Sequence, residues 1–347
     1  MDTPTAEADA ASVDARTPDE AYRIARQWCR QRAPDLFFAS HFLDRDRRRA
    51  TYHLLAVYQQ LHEILAEPAT CTDAQSCELE ATASGCATPA ACSSGCAAGA
   101  ESLETRRSVC SAVLEHLYAG KPTGRPELDG FAAAAKAYGL ARDRFEALCD
   151  GLAAEAGVKR YATWQRLHED LNRSAGSAAL LAWQVLAGPG NGDMGTTLEH
   201  QVTAWGVAMR MGVVLCRVPG DWRAGRLLLP LYDLVKFGLS EHDLAQFTDA
   251  GSASTDVRWS ELMAFQIERV RNLYRGAARC LTELHDDGAR RAAAATAAMF
   301  SSMLDRLEEA DGDPFANDIR NSNWNRLASM PRAFRLVMNP QRAAELF

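Results

Sequence analysis

Two stretches of the chain carry side chains whose type and spacing could do chemistry. The first is His62-Glu63-Ile64-Leu65-Ala66, followed by Glu67. Glu63 and Glu67 stand four apart, so on a helix they share a face, as two carboxylates must to hold one divalent cation. The second runs from Arg210 through Arg217 to Asp221. Arg210 and Arg217 are seven apart and fall on nearly the same helix face. Two guanidinium groups so placed could grip phosphate oxygens through bidentate, charge-assisted hydrogen bonds. The plainer alternative leaves the glutamates solvated on a helix flank and pairs the arginines with internal acids such as Glu155, Glu169 or Asp170. No H-x-x-x-H or H-E-x-x-H pair, glycine-rich nucleotide loop or nucleophile elbow is present in the sequence.

These residues need helices to place them. Ala50, Leu54, Val57, Leu61 and Ile64 recur at steps of four and three, the stripe of an amphipathic helix that carries His62. Similar patterns predict helices over about 19–33, 101–119, 141–156, 163–187, 195–217, 257–285 and 287–310. Pro219-Gly220 predicts that the helix bearing Arg210 stops near Arg217 or Val218, which leaves Asp221 in a turn. Leu227 to Leu231, broken by Pro230, reads as a turn into another helix.

Two segments lack this periodicity. Residues 1–18 form an acidic, polar tail. Residues 67–99 form an insert of Ala, Ser, Thr, Gly and Cys that holds Cys71, Cys77, Cys86, Cys92 and Cys96. Those five cysteines lack the two close pairs of a structural zinc site, and a flexible insert is the expectation. Cys29, Cys110, Cys149, Cys216 and Cys280 sit inside helical patterns and read as small core residues. The expected fold class is all-α, one helical domain over residues 19–340 packed around a shared core.

Composition narrows the function classes. The chain has 347 residues, 38 basic and 45 acidic, hence a net charge of −7, and 47% of it is apolar. That much apolar surface excludes a disordered chain, and the acidic excess excludes a dedicated nucleic-acid binder. The start lacks the basic and apolar stretches of an export signal, and the best apolar run, Ala178 to Ala187, is about half of what a bilayer needs. The expected compartment is the cytosol, with any membrane contact peripheral.

Several blocks in order resemble the squalene/phytoene synthase family. They are Phe37-Phe38-Ala39-Ser40, then Asp44 to Ala50 with Tyr52, Lys159-Arg160-Tyr161-Ala162-Thr163, and Asn172-Arg173-Ser174-Ala175-Gly176-Ser177. After them come Asp221-Trp222-Arg223-Ala224-Gly225-Arg226-Leu227-Leu228-Leu229-Pro230, Phe237-Gly238-Leu239-Ser240, and Phe265 to Arg271. The resemblance spans about residues 20–335. It implies an isoprenoid-synthase helical bundle around a central cavity. It also implies head-to-head prenyl transfer on a diphosphate substrate clamped by Mg²⁺ between two aspartate-rich motifs.

At those motifs this sequence departs from the family. The first, D-D-x-x-D, is replaced by His62, Glu63 and Ala66. In the second, N-x-x-x-D-x-x-x-D, Val213 and Arg217 replace the first two ligands and only Asp221 survives, and Arg210 stands where the family has glutamine. The cavity-facing side of the first helix then carries Leu55, Tyr58, Gln59, His62 and Ala66, with Glu63 and Glu67 toward its edge. Three readings follow. One is a non-catalytic member of the family that acts as a partner or regulatory subunit beside an active synthase and needs no cofactor. The second is a metal-independent binder of an isoprenoid diphosphate or related anionic lipid. Its candidate ligand residues are His62, Arg173, Arg210, Arg217 and Arg226, with Arg47 from the basic run 45–49. The third is a working synthase that uses Mg²⁺ with Glu63, Glu67 and Asp221 as replacement ligands.

Overall fold

The computed structural model describes residues 18–66, 102–121, 123, 125–190, 194–285, 287–317, 319 and 321–347. The expectations for the tail, the cysteine-bearing insert and Glu67 lie outside the described residues.

The described chain is helical throughout. Helices α1 (Pro18–Arg32), α2 (Pro34–Ser40) and α3 (Arg45–Leu65) lead into α4 (Leu103–Tyr118), α5 (Pro126–Asp129), α6 (Phe131–Tyr138) and α7 (Arg142–Gly157). Next come α8 (Trp164–Leu171), a π-turn (Asn172–Gly176), α9 (Ser177–Ala187) and the long α10 (Thr196–Arg223). The remainder is α11 (Leu231–Lys236), α12 (Glu241–Ala250), α13 (Val257–Ala277), α14 (Ala289–Glu309), α15 (Asn323–Ala328) and α16 (Met330–Met338). Among the described residues the only β-pairing is one bridge between Arg160 and Leu227.

The start of α3 follows from capping. The Asp44 carboxylate accepts from the backbone N–H groups of Asp46 and Arg47, both at 2.9 Å, which satisfies two donors that the first turn would leave bare. The apolar stripe then buries Leu54, Val57 and Leu61. This fixes which flank of α3 turns toward α10.

Helix α10 is the axis of the fold, in contact with α9, α13, α14 and the π-turn. It is also long and apolar enough, by length and composition alone, to cross a bilayer, unlike the shorter run at Ala178 to Ala187. In the fold it is a core helix: Val207, Ala208, Met211 and Leu215 are fully buried. It also outlasts its expected end. Pro219 lies inside it, and the helix runs on to Arg223. Proline removes one backbone bond there, but Val218 and Pro219 are buried, and that packing outweighs the lost bond. The helix stops instead at Gly225, whose φ of +74° suits glycine, with Arg226 N–H donating back to the Asp221 carbonyl at 2.8 Å. Asp221 therefore belongs to the last turn of α10 and not to a loop.

The helix expected over 163–187 runs from Trp164 to Ala187, with a π-helical turn, Asn172–Gly176, at its middle. Two glycines account for the close packing there. A Cβ on Gly151 of α7 would come within 2.3 Å of the Ser174 backbone nitrogen, and one on Gly206 of α10 within 2.3 Å of the Ala175 carbonyl oxygen. The π-turn is thus held between two neighbouring helices at backbone contact, and it carries Ser174 into the interior.

Candidate functional site

Between α2, α3, α7, α9, α10 and α14 lies a cavity of about 370 Å³. Its walls are almost wholly apolar, among them Leu55, Trp183, Trp205 and Phe300, and alanines of α9 and α14 leave the space open. That size and lining suit a small apolar ligand or the tail of a larger one. Arg210, Tyr58 and Val213 also line it, so one charged group faces an oily chamber.

Arg210 is organised by Glu155. The Glu155 carboxylate is buried and accepts from Arg210 Nη2 at 3.0 Å and Nε at 3.4 Å. Its other oxygen accepts from the Ser174 hydroxyl. The Glu155 backbone carbonyl accepts from Arg226 Nη2 at 2.9 Å, while Arg226 Nε is buried without a partner. Burial opposes the Arg210 charge, but the Glu155 carboxylate beside it more than offsets this, and the guanidinium pKa stands above its usual value.

On the facing helix, the His62 ring lies near Tyr58, tilted by 32° with ring centres 6.3 Å apart. Burial lowers the His62 pKa, and the Arg210 guanidinium lowers it further. His62 is therefore neutral at pH 7 in the folded chain. Unfolding returns it toward 6.5, so below that pH the unfolded chain binds more protons than the folded one. Stability is then fully present above pH 6.5 and is lost as pH falls through the folded value. His62→Gln should make that acid-side loss shallower, with the rest carried by His53 and His168, whose values burial also lowers. Thermal melts of both proteins on either side of pH 6.5 check this, and equal slopes would mean that His62 takes no part in it.

The other candidates do not converge on this point. Arg47 lies fifteen residues before His62 on α3, about 22 Å along the axis, and is engaged by Asp287 at 2.6 Å and Asp44 at 3.5 Å. Arg173 donates to Asp170 at 2.8 Å and is half-exposed. Arg217 is exposed two turns past Arg210, about 10 Å along α10, and makes no ion pair with a described residue. The group that does converge is His62, Arg210 and Arg226, with Tyr58, Ser174 and Glu155. Of these, Glu155 was visible in sequence only as one of several partners for an arginine. Its signal is a single acid within the apolar run Leu152-Ala153-Ala154-Glu155-Ala156.

A Mg²⁺ clamp needs several carboxylate oxygens aimed at one point. Glu63 points away from the cavity, accepting from Gln59 at 3.2 Å and pairing with Arg32 of α1 at 3.6 Å. Glu155 is already engaged by Ser174 and Arg210, and Ala66 and Val213 offer no ligand atom. Among the described residues no three His, Cys, Asp or Glu side chains group as metal ligands would. The described donor set does not fit a Mg²⁺ clamp.

The family model for squalene/phytoene synthase matches residues 29–328. The chain belongs to the squalene/phytoene synthase family. It is 28% identical to the 15-cis-phytoene synthase of Synechococcus elongatus over 227 residues, 63% of this chain and 71% of that one. It is 26% identical to the 15-cis-phytoene synthase of Synechocystis over 331 residues, 93% of this chain and 84% of that one. In fold it is similar to a dehydrosqualene synthase solved with a ligand, at a TM-score of 0.69 and 14% identity, covering 92% of this chain and 98% of that one. It also resembles the squalene synthase of Alicyclobacillus acidocaldarius, at a TM-score of 0.64 and 16% identity, covering 85% and 97%. The isoprenoid-synthase bundle expected from the ordered sequence blocks is thus the fold of this family member, and its central cavity is the one described above.

Proposed function

We propose that this family member binds a single isoprenoid diphosphate without a metal and does not carry out Mg²⁺-dependent prenyl transfer, serving as a non-catalytic partner in isoprenoid metabolism. The observation that supports it is the position of Arg210, which lines the apolar cavity at the end where Arg226 and neutral His62 gather. The prenyl tail lies in the cavity, and the head is met by Arg210 and by the unpartnered Nε of Arg226. Arg217, singled out with Arg210 in the sequence, sits too far along α10 to share that head.

Magnitudes argue against ionisation of the substrate. A Lewis-acid metal supplies several kcal/mol of charge stabilisation. Losing about 4 kcal/mol slows the step roughly a thousandfold. One guanidinium already shared with Glu155 replaces only part of that. The head is therefore held but not released.

The test is titration of the purified chain with farnesyl and geranylgeranyl diphosphate, in Mg²⁺ and in EDTA, reading both binding and products. Equal affinity in both buffers, with no hydrocarbon and no diphosphate released, is the expected result. Turnover above a no-protein control would end this reading. The second reading, a working synthase, is favoured by the near full-length similarity to the Synechocystis phytoene synthase. It requires consumption of either substrate that EDTA stops.

A further inference from the structure

The π-turn rests on Gly151 of α7 and Gly206 of α10 at backbone contact. Glu155 and Arg210 stand four residues further along those two helices, each on the same face as its glycine. The close approach that the glycines permit therefore brings the turn against the acid and the arginine together. Ser174 is the one buried polar residue of the turn, and its hydroxyl donates to the Glu155 carboxylate. Turns of this kind inside α-helices are frequent at functional sites.

That hydroxyl changes how the acid holds the arginine. An arginine and a carboxylate pair most strongly through two parallel bonds, one to each oxygen. Here both Arg210 nitrogens share a single oxygen. Nη2 and Nε meet Glu155 Oε2 at 3.0 and 3.4 Å, and the second distance is long for a hydrogen bond. The other oxygen, Oε1, is taken by Ser174. Arg210 Nη1 makes no hydrogen bond with a described residue, and Arg210 lines the apolar cavity. A carboxylate turns readily about its last side-chain bond, so the partner of Oε1 decides whether that oxygen swings toward the arginine.

We propose that Ser174 is a positioning residue: by occupying one carboxylate oxygen it restrains Glu155 to a one-oxygen grip and keeps Arg210 free to meet a diphosphate head. For its ligand this rests on the proposed diphosphate binding, and for the restraint it rests on the geometry of Ser174, Glu155 and Arg210 alone. A complete fork would fix the guanidinium and match its charge fully. The looser grip leaves Arg210 oriented by Glu155 and still able to give N–H groups to phosphate oxygens. The neighbours of Ser174 cannot take its place. Arg173 is half-exposed and turns to Asp170, and the Ala175 side chain has no donor.

Two measurements test this. The first needs no ligand. Urea unfolding of Glu155→Gln, Arg210→Met and their double variant gives the coupling between the two charges, in the wild type and again in Ser174→Ala. The coupling should be larger in Ser174→Ala, because the released oxygen completes the fork. The second is binding of farnesyl diphosphate in EDTA, beside farnesol, which has the tail without the charged head. Ser174→Ala should lose about tenfold in affinity for the diphosphate, equivalent to ~1.4 kcal/mol, and hold its affinity for farnesol. In a Glu155→Gln background the same change should leave the diphosphate affinity unaltered, since no carboxylate charge is there to be released. Ser174→Cys keeps the shape with only a weak donor. It should fall between serine and alanine, and it carries both measurements should Ser174→Ala not fold. A coupling that stays equal or falls in Ser174→Ala would overturn the proposal, as would an unchanged diphosphate affinity or an equal loss for farnesol. A larger coupling in a chain that binds no prenyl diphosphate would instead end the proposed function and uphold the restraint of Glu155 by Ser174.

Discussion

Glu155→Ala is expected to lower the folding stability by about 3–5 kcal/mol, because it strips the partner from a guanidinium that is largely out of water. The carboxylate touches Arg210 through two nitrogens and Ser174 through its hydroxyl, and it is the group that satisfies both in the interior. The cavity lets some water reach Arg210, which places the loss at the lower end of that range. Glu155→Gln keeps the shape and an acceptor but gives up the charge, and should fall between alanine and wild type. The informative variant is Glu155→Gln/Arg210→Met. Removing both charges abolishes the unpaired ion, so the double variant should recover much of the stability that Glu155→Gln loses, a coupling that a double-mutant cycle reads directly. Urea unfolding of the wild type, the two single variants and the double variant measures it. A loss below about 1 kcal/mol for Glu155→Ala would mean that water in the cavity already solvates Arg210, and the pair would then be free to open for a ligand.

That coupling also shows what a single sequence can and cannot display. The stripe Ala50, Leu54, Val57, Leu61 and Ile64 made α3 legible, because a helix buried on one side writes its period into the chain. The types of the head residues were legible too: an arginine at 210 and a histidine at 62 are facts of sequence. Their convergence was not. Arg226 reaches Glu155 across seventy-one positions, and it does so only because α10 ends at Gly225 rather than at Pro219. The local rule for proline was outweighed by packing around Val218 and Pro219, a tertiary effect that no window of residues contains. The π-turn was hidden for the same reason. It packs against Gly151 and Gly206 on two other helices, where the absence of a Cβ lets backbones touch. Arg47 misled in the opposite sense, since belonging to the same basic run and the same helix as the site says little about a group some four turns away from His62.

Ala182→Phe should separate tail from head. Ala182 lies on α9 between buried Leu181 and Trp183, yet it remains exposed and lines the cavity. A phenyl ring placed there enters the space assigned to the prenyl tail without displacing a packed neighbour. Affinity for farnesyl diphosphate should fall by at least about a hundredfold, equivalent to ~2.7 kcal/mol, while the melting temperature holds or rises slightly, as cavity-filling changes often allow. The dependence on chain length gives the sharper reading. In the wild type each added five-carbon unit should tighten binding by at least about tenfold, a modest part of the ~0.8 kcal/mol available per buried methylene. In Ala182→Phe that dependence should flatten, because the longer chain has nowhere to go. Arg210→Met should do the reverse: weaker binding of every diphosphate, with the chain-length slope intact. Arg217→Ala should change neither. Should Ala182→Phe bind farnesyl diphosphate as tightly as the wild type, the tail does not occupy this cavity. Arg210 would then be reduced to the structural partner of Glu155, with no lipid to meet.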